Sequence, residues 1–455
     1  MSFVGAIGRI ALLLAVLGLP LAAIAQTTLT LTQAVTTALE KNPVHKVAVF
    51  EKNAAAADIK LARSALFPQI KFTEAYERGN DPVFVFGGRL RQQRFTASDF
   101  ALNRLNTPTP FGNFATRFSG GWQLFDSGVS WLRLRQARGM DHVAQRKLQR
   151  GDQELVMRVV NAYAGLLLAV KQQRVAEDAL RTSQSILDRS RAYVQAGMVV
   201  ESDLLSAQVN HASRQEELIS ARNAVALARA QLNTEMGIST DTQFEPADLP
   251  GERPLPVVTL DELEKRALER RPDLQAVSLQ QTIQADGVRA AKASFGPRLN
   301  TIADWQLDNP RFAGGGGNNW IAGFELEVDL FDGGAKRARL AREHALKSRI
   351  DALHDAAVSG IRLEVRKAYL DLDTARQQAE VARAAASQAQ ESLRIGQNRY
   401  HAGLSTITDL LRMQEAALRA QTDFWQSLYR LQTSYANLEL ATGTLDANSP
   451  VVKQR

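Results

Sequence analysis

Cysteine is absent from this sequence, which removes disulfides, thiol catalysis, thiolate metal sites and a lipid-modified N-terminal cysteine. Histidine is scarce: six residues, none at His-x-x-x-His or Glu-x-x-His spacing, with His344 and His354 ten positions apart. No Gly-x-Ser-x-Gly elbow occurs, and the glycines of "NPRFAGGGGNNW" are followed by neither Lys-Ser nor Lys-Thr. Together these absences argue against a metalloenzyme, a serine hydrolase and a nucleotide hydrolase; no catalytic residue, metal ligand or cofactor is expected. The chain also lacks a block of charge. Its 55 basic and 48 acidic residues leave a net charge of +7, and the two signs are interspersed as on solvated helix faces, so no nucleic-acid surface is expected.

What is present begins with "MSFVGAIGRIALLLAVLGLPLAAIAQ". Arg9 precedes an apolar run interrupted by Pro20, and Ala23-Ile24-Ala25 supplies a small-residue cleavage site, so residues 1–25 read as a signal peptide. An exported chain without disulfides must draw its stability from packing or assembly.

The remainder is written twice. "LTQAVTTALEKNP" (31–43) matches "LDELEKRALERRP" (260–272), and the same offset of 229 places Pro68 on Pro297. Further on the offset is 206: Phe125-Asp126 falls on Phe331-Asp332, Gly197 on Gly403, Asp203-Leu204-Leu205 on Asp409-Leu410-Leu411, and Gly237 on Gly443. The first copy therefore carries 23 extra residues between its proline and its L-F-D. A period this long is a domain duplication, not a solenoid. The first repeat spans 26–237, a linker 238–258, the second repeat 259–443 and a tail 444–455.

Within each copy the hydrophobic period changes in one order. Segments 30–65 and 259–294 are alanine-rich and read as helix. Then the period drops to two, near 69–77 and 115–125, and again near 298–307 and 320–331. Trp320, Ala322, Phe324, Leu326, Val328 and Leu330 alternate with Gly323, Glu325, Glu327 and Asp329. Each strand is about ten residues, the length of a tilted transmembrane strand. Four cannot close a membrane barrel, so they form a small soluble sheet or several chains pool them. Between the first two strands, "RGNDPVFVFGGRLRQQRFTASDFALNRLNTPTPFGN" reads as a Gly-, Pro- and Asn-marked excursion.

After L-F-D the pattern turns helical. Proline is absent from 128 to 190, enough for a rod of roughly 95 Å, and the second copy repeats this from 334 to 397. Ile361, Val365, Ala368, Leu372, Ala375 and Ala379 are spaced by four and three, a coiled-coil seam. Return helices follow at 202–236 and 406–442. The fold class is mainly α with a small β part, built from a duplicated helix, strand, strand, long helix, helix unit.

The two L-F-D-x-G endings, the duplicated order, "RYHAGLSTITDLL" (399–411) and "VQAGMVVESDLL" (194–205) resemble the TolC-like outer-membrane efflux and secretion family across nearly all of the mature sequence. The resemblance implies a homotrimer in outer-membrane lipid, four strands per chain closing one barrel that continues as a long periplasmic helical barrel. It implies as partners a periplasmic membrane-fusion adaptor and an inner-membrane transporter, and as function a passive exit duct for small molecules or metals. Type I protein secretion is the alternative within the fold, and a pore-less periplasmic scaffold the alternative outside it.

By motif, Gly197, Met198, Gly403, Leu404, Ser405 and Thr406 become the adaptor-contacting tip. Asp409 becomes a lining acid of the entrance and Asp203 a helix-linking aspartate with Tyr400 as its partner. Arg412 stands where relatives can carry a second acid, one turn from Asp409, and is placed to pair with it. Phe125, Asp126, Gly128, Phe331, Asp332 and Gly334 become the strand-to-helix junctions, where the aspartates either mark the exit from the membrane or cap helices.

Overall fold

The computed structural model describes residues 28–248 and 258–453. The expected signal peptide and the middle of the expected linker lie outside the described residues. The first repeat runs β1 (Thr28–Leu29), α1 (Leu31–Lys41), α2 (Pro43–Ser64), β2 (Gln69–Gly79), α3 (Pro82–Arg91), α4 (Leu102–Asn106), β3 (Phe111–Phe125), α5 (Val129–Gln195) and α6 (Glu201–Met236). After β4 (Glu245–Pro246) the second runs α7 (Leu260–Arg270), α8 (Pro272–Ala293), β5 (Arg298–Asn309), β6 (Gly317–Glu327), α9 (Ala335–His401) and α10 (Ile407–Ala441).

The alanine-rich opening of each copy, read as one helix, is two. A residue before proline is pushed out of the α region, and Asn42 (ψ 125°) and Arg271 (ψ 121°) both comply. Pro43 and Pro272 then start new helices at a position that needs no N–H donor. Asn42 stabilises its break by accepting from the N–H groups of Val44 and His45 and donating to the Glu235 carbonyl.

Each break is clamped by the glycine that ends a return helix. Gly237 sits at φ +70° against Asn42, and Gly443 at φ +71° against Arg271. A Cβ on Gly237 would lie 2.7 Å from the Lys41 carbonyl oxygen. Gly237→Ala therefore combines left-handed strain of about 1–2 kcal/mol with a backbone clash. A lowered melting temperature and loss of the α1 to α6 packing in hydrogen exchange are expected; an unchanged melt overturns this account.

The long helices α5 and α9 have 67 residues each, about 100 Å of rod. Each packs along its return helix, and α10 also lies against α5. The seam residues Ile361, Val365, Ala368, Leu372, Ala375 and Ala379 are all buried. The larger core surrounds fully buried Tyr163, which joins Leu31, Val35, Leu155, Leu166, Leu232 and Met236. Its hydroxyl donates within 2.8 Å of the Leu29 carbonyl oxygen and 2.7 Å of that of Ala247, tying β1 and its parallel partner β4 to the rod. The expected linker 238–258 thus carries β4, whose two residues are too few to show a period.

The main sheet is antiparallel throughout, in the order β2-β3-β5-β6, so β2 and β6 are open edges. Here β6 ends at Glu327, short of the expected 331, because Glu327 pairs with Arg298 at the start of β5 and no partner strand continues beyond it. Leu330 and Phe331 are left 94% and 89% exposed. In the first copy, β3 reaches Phe125 by pairing with Leu299 across a bulge. The excursion between β2 and β3 is not a bare loop: it holds α3, a 3-10 turn at Ala97–Phe100, and α4.

Candidate functional site

Register assigns every strand residue to one of two faces. Phe72 opposes Phe118, Phe118 opposes Trp305, and Trp305 opposes Trp320, an aromatic row across all four strands. The ring centroids are 5.1 Å apart for Phe72 and Phe118 and 5.8 Å for Phe118 and Trp305. Ile70, Tyr76, Trp122, Leu307, Phe324 and Leu326 share this face by the pleat. The opposite face carries Lys71, Thr73, Arg117, Ser119, Gln123, Asp304, Gln306, Asn319, Glu325 and Glu327. The division is not complete, since Glu74 (accepting from the Thr116 hydroxyl, 2.6 Å) and Arg78 fall on the first face and Ile302 and Ile321 on the second. A mainly apolar, aromatic face backed by a mainly polar one is nonetheless the division a membrane barrel requires.

Glu327 on the polar face and Asp329 just beyond the strand both have cation partners. Arg298 pairs with Glu327 (2.8 Å) and Asp329 (3.2 Å), and Lys336 adds a second cation to Asp329.

The two junctions have one geometry. Asp126 accepts from the N–H groups of Gly128 (3.1 Å) and Ser130 (2.7 Å), and Asp332 from those of Gly334 (3.0 Å) and Lys336 (2.8 Å). Gly128 and Gly334 sit at φ +87° and +89°, a left-handed turn that glycine makes without strain. Phe125 closes β3, whereas Phe331 lies outside the sheet. Helix capping is thus the visible work of both aspartates.

At the far end of the rods, Gly197 and Gly403 turn at φ +67° and +70°. The N–H of Met198 donates to the Tyr193 carbonyl and that of Leu404 to the Arg399 carbonyl, closing both helices with the Schellman pattern. Met198 and Leu404 project apolar side chains into solvent, and Ser405 is half-buried beside exposed Thr406. Thr406 caps α10: its Oγ1 accepts from the Asp409 N–H (3.2 Å) and donates to the Asp409 carboxylate (2.7 Å). Asp203 stands at the matching position of α6, which has Val200 and no side-chain cap.

Two expected contacts at the tip are not made. Tyr400 is buried with its hydroxyl 3.2 Å from that of Ser190, not on Asp203. Its ring packs 6.0 Å from that of Tyr193, whose own hydroxyl donates to the His401 carbonyl (3.1 Å). The α5 and α9 tips of one chain are thereby tied together. Arg412 is exposed and forms no ion pair with Asp409 among the described residues. The Asp409 carboxylate is held by its own helix cap, turned toward Thr406.

A second tie leaves no trace in the sequence pattern. Buried Arg214 on α6 pairs with Glu217 (2.8 Å) and reaches across to Glu415 on α10 (2.9 Å). Burial, opposed by the charge of Arg214 and reinforced by Glu415, raises the Glu217 carboxyl above its usual range. An arginine within a charge-rich helix carries no signal of burial, so only packing reveals it. At the tip itself, burial and then Arg189 hold His401 below its ordinary value.

A sheet with one lipid-suited face and two open edges, carried on a rod with a tied tip, defines one subunit of an outer-membrane duct extending into the periplasm. The chain belongs to the outer membrane efflux protein family, whose model matches residues 34–237 and 263–444. Alkaline protease secretion protein AprF of Pseudomonas aeruginosa is 26% identical over 424 residues, covering 90% of this chain and 83% of that protein. Toluene efflux pump outer membrane protein TtgC of Pseudomonas putida is 23% identical over 423 residues, covering 91% and 82%. The crystal structure of the CmeC outer membrane channel of Campylobacter jejuni superimposes with a TM-score of 0.79 at 18% identity, covering 92% of this chain and 87% of that one. By their names these relatives serve protease secretion and toluene efflux, and the solved neighbour is an outer-membrane channel.

Proposed function

We propose that three copies of this chain close one barrel, and that the trimer is the passive exit duct of a tripartite pump fed by an inner-membrane transporter through a periplasmic adaptor. The pair of open edges carries this reading. Three successive antiparallel pairings leave β2 and β6 running in opposite directions, so β6 of one copy suits β2 of the next. Closing the ring removes every unpaired backbone group from lipid. The chain contributes no catalytic step. Efflux of small molecules or metals is the leading cargo, and polypeptide export by a type I system is the second reading, favoured by the 26% identity with AprF.

In this reading Gly197, Met198, Gly403, Leu404, Ser405 and Thr406 meet the adaptor, and Asp203, Tyr400, Asp409 and Arg412 surround the periplasmic entrance. Three Asp409 carboxylates around one axis favour cations. In planar bilayers the trimer is expected to show discrete cation-selective steps, with selectivity reduced in Asp409→Asn. Identical selectivity and conductance in that variant remove Asp409 from the entrance, and absence of steps from a folded trimer removes the duct. Deleting the gene distinguishes the cargoes: hypersensitivity to small toxic compounds marks efflux, and loss of an exported protein marks secretion.

A further inference from the structure

Residues 80–110, the excursion that contains the first copy's surplus, fold onto one side of the sheet only. Asn319 donates its side-chain amide to the Arg91 carbonyl at the end of α3 (3.1 Å). Gln92, buried, donates to the Asn113 side-chain oxygen (2.8 Å), and Asn113 donates to Asp308 (2.6 Å). Asp308 is fully buried and takes a further hydrogen bond from Gln306 (2.9 Å). A Cβ on Gly317 would lie 1.7 Å from the Arg91 carbonyl oxygen, so α3 rests directly on the β6 backbone. Asn113, Asp308, Gly317 and Asn319 all belong to the polar face. The loop between β5 and β6 leans the other way, setting Phe312 5.9 Å from Phe114 on the apolar face.

This excursion is also built, not slack. Asp81 caps α3 by accepting from the Phe84 N–H (2.8 Å). Phe86, Phe95 and Phe100 stack edge to face at 4.9 and 5.1 Å, and buried Asp99 pairs with Arg89 while accepting from the Thr96 N–H (2.9 Å).

We propose that residues 80–110 are a rigid constriction folded into the outer mouth of the barrel, setting the largest solute that passes. This rests on the trimeric-duct reading. Twelve strands about 4.8 Å apart and tilted by about 40° enclose a ring about 24 Å across between backbones. A helix with its side chains is about 10 Å thick, so three caps entering from the rim fill most of that width. Gln92 is the positioning residue: through Asn113 it fixes the cap to the wall.

The absence of cysteine makes the test direct, since Gln123→Cys on the polar face, beneath the cap, is then the chain's one thiol. Intact cells carrying it are treated from outside with a small maleimide and with a maleimide bearing a polyethylene glycol chain too bulky for the constricted mouth. The small reagent is expected to label and the large one to fail. The large reagent should label once residues 80–110 are replaced by the short second-copy loop 310–316, or, with the cap retained, in Gln92→Ala. Equal labelling by both reagents with the native cap overturns the constriction, as does continued exclusion in Gln92→Ala together with the loop replacement. If the small reagent also fails and no heat-modifiable trimer is seen on gels, the duct reading itself falls, and the constriction with it.

Discussion

Replacing Arg271 with alanine is expected to cost about 3–5 kcal/mol per protomer, the range for removing one partner of a buried ion pair. The side chain is 3% exposed at the α7 to α8 break. It forks onto Asp273 through Nε (3.0 Å) and a terminal nitrogen (2.5 Å), and its other terminal nitrogen pairs with Glu364 on α9. The two acids keep 37% and 57% of their side-chain surface in water, which places the loss toward the lower end. Arg271→Lys keeps the charge but not the fork, and should fall between the two.

The same pair gives a pH signature. Burial pushes the Asp273 carboxyl up, but the hydrogen bonds and charge of Arg271 outweigh it and hold the group below its ordinary value. A carboxylate depressed in the folded state contributes stability that is full above its unfolded pKa and lost as pH falls through its folded pKa. The difference in melting temperature between wild type and Arg271→Ala in detergent should therefore be full at neutral pH and shrink below about pH 4. A gap that persists unchanged in acid removes Asp273 from this account.

Much of this fold was legible because its largest features are periodic. The two rods, the coiled-coil seam, the alternating strands and the doubled L-F-D-x-G are written in spacing, and spacing survives without coordinates. What escaped has no period. The cap helix α3 is hidden by Pro82, Gly87 and Gly88, residues that read as loop. Gly88 is explained only by its neighbour: a Cβ there would lie 2.4 Å from the Phe111 ring. Likewise the partner of Tyr400 is Ser190, 210 residues earlier, a contact that follows from which rods pack together. Motif spacing located the tip turns at Gly197 and Gly403 but said nothing of the hydrogen bonds across them.

The sharpest test of the two sheet faces uses adjacent residues. Phe118 sits in the aromatic row between Phe72 and Trp305, and Ser119 points to the polar face between Lys71 and Asp304. An arginine near mid-membrane on a lipid face costs about 2–4 kcal/mol in a barrel. Phe118→Arg would impose that cost on each copy, so about 6–12 kcal/mol on a three-copy barrel, and would also break two aromatic contacts. Ser119→Arg places the same charge in water beside the Asp304 carboxylate. Phe118→Arg is therefore expected to abolish trimers in the outer membrane, whereas Ser119→Arg should assemble normally and shift the channel toward anions. Equal assembly of the two variants would mean that the aromatic row does not face lipid. The reverse order would invert the barrel wall, and would move the cap on residues 80–110 from the lumen to the outside.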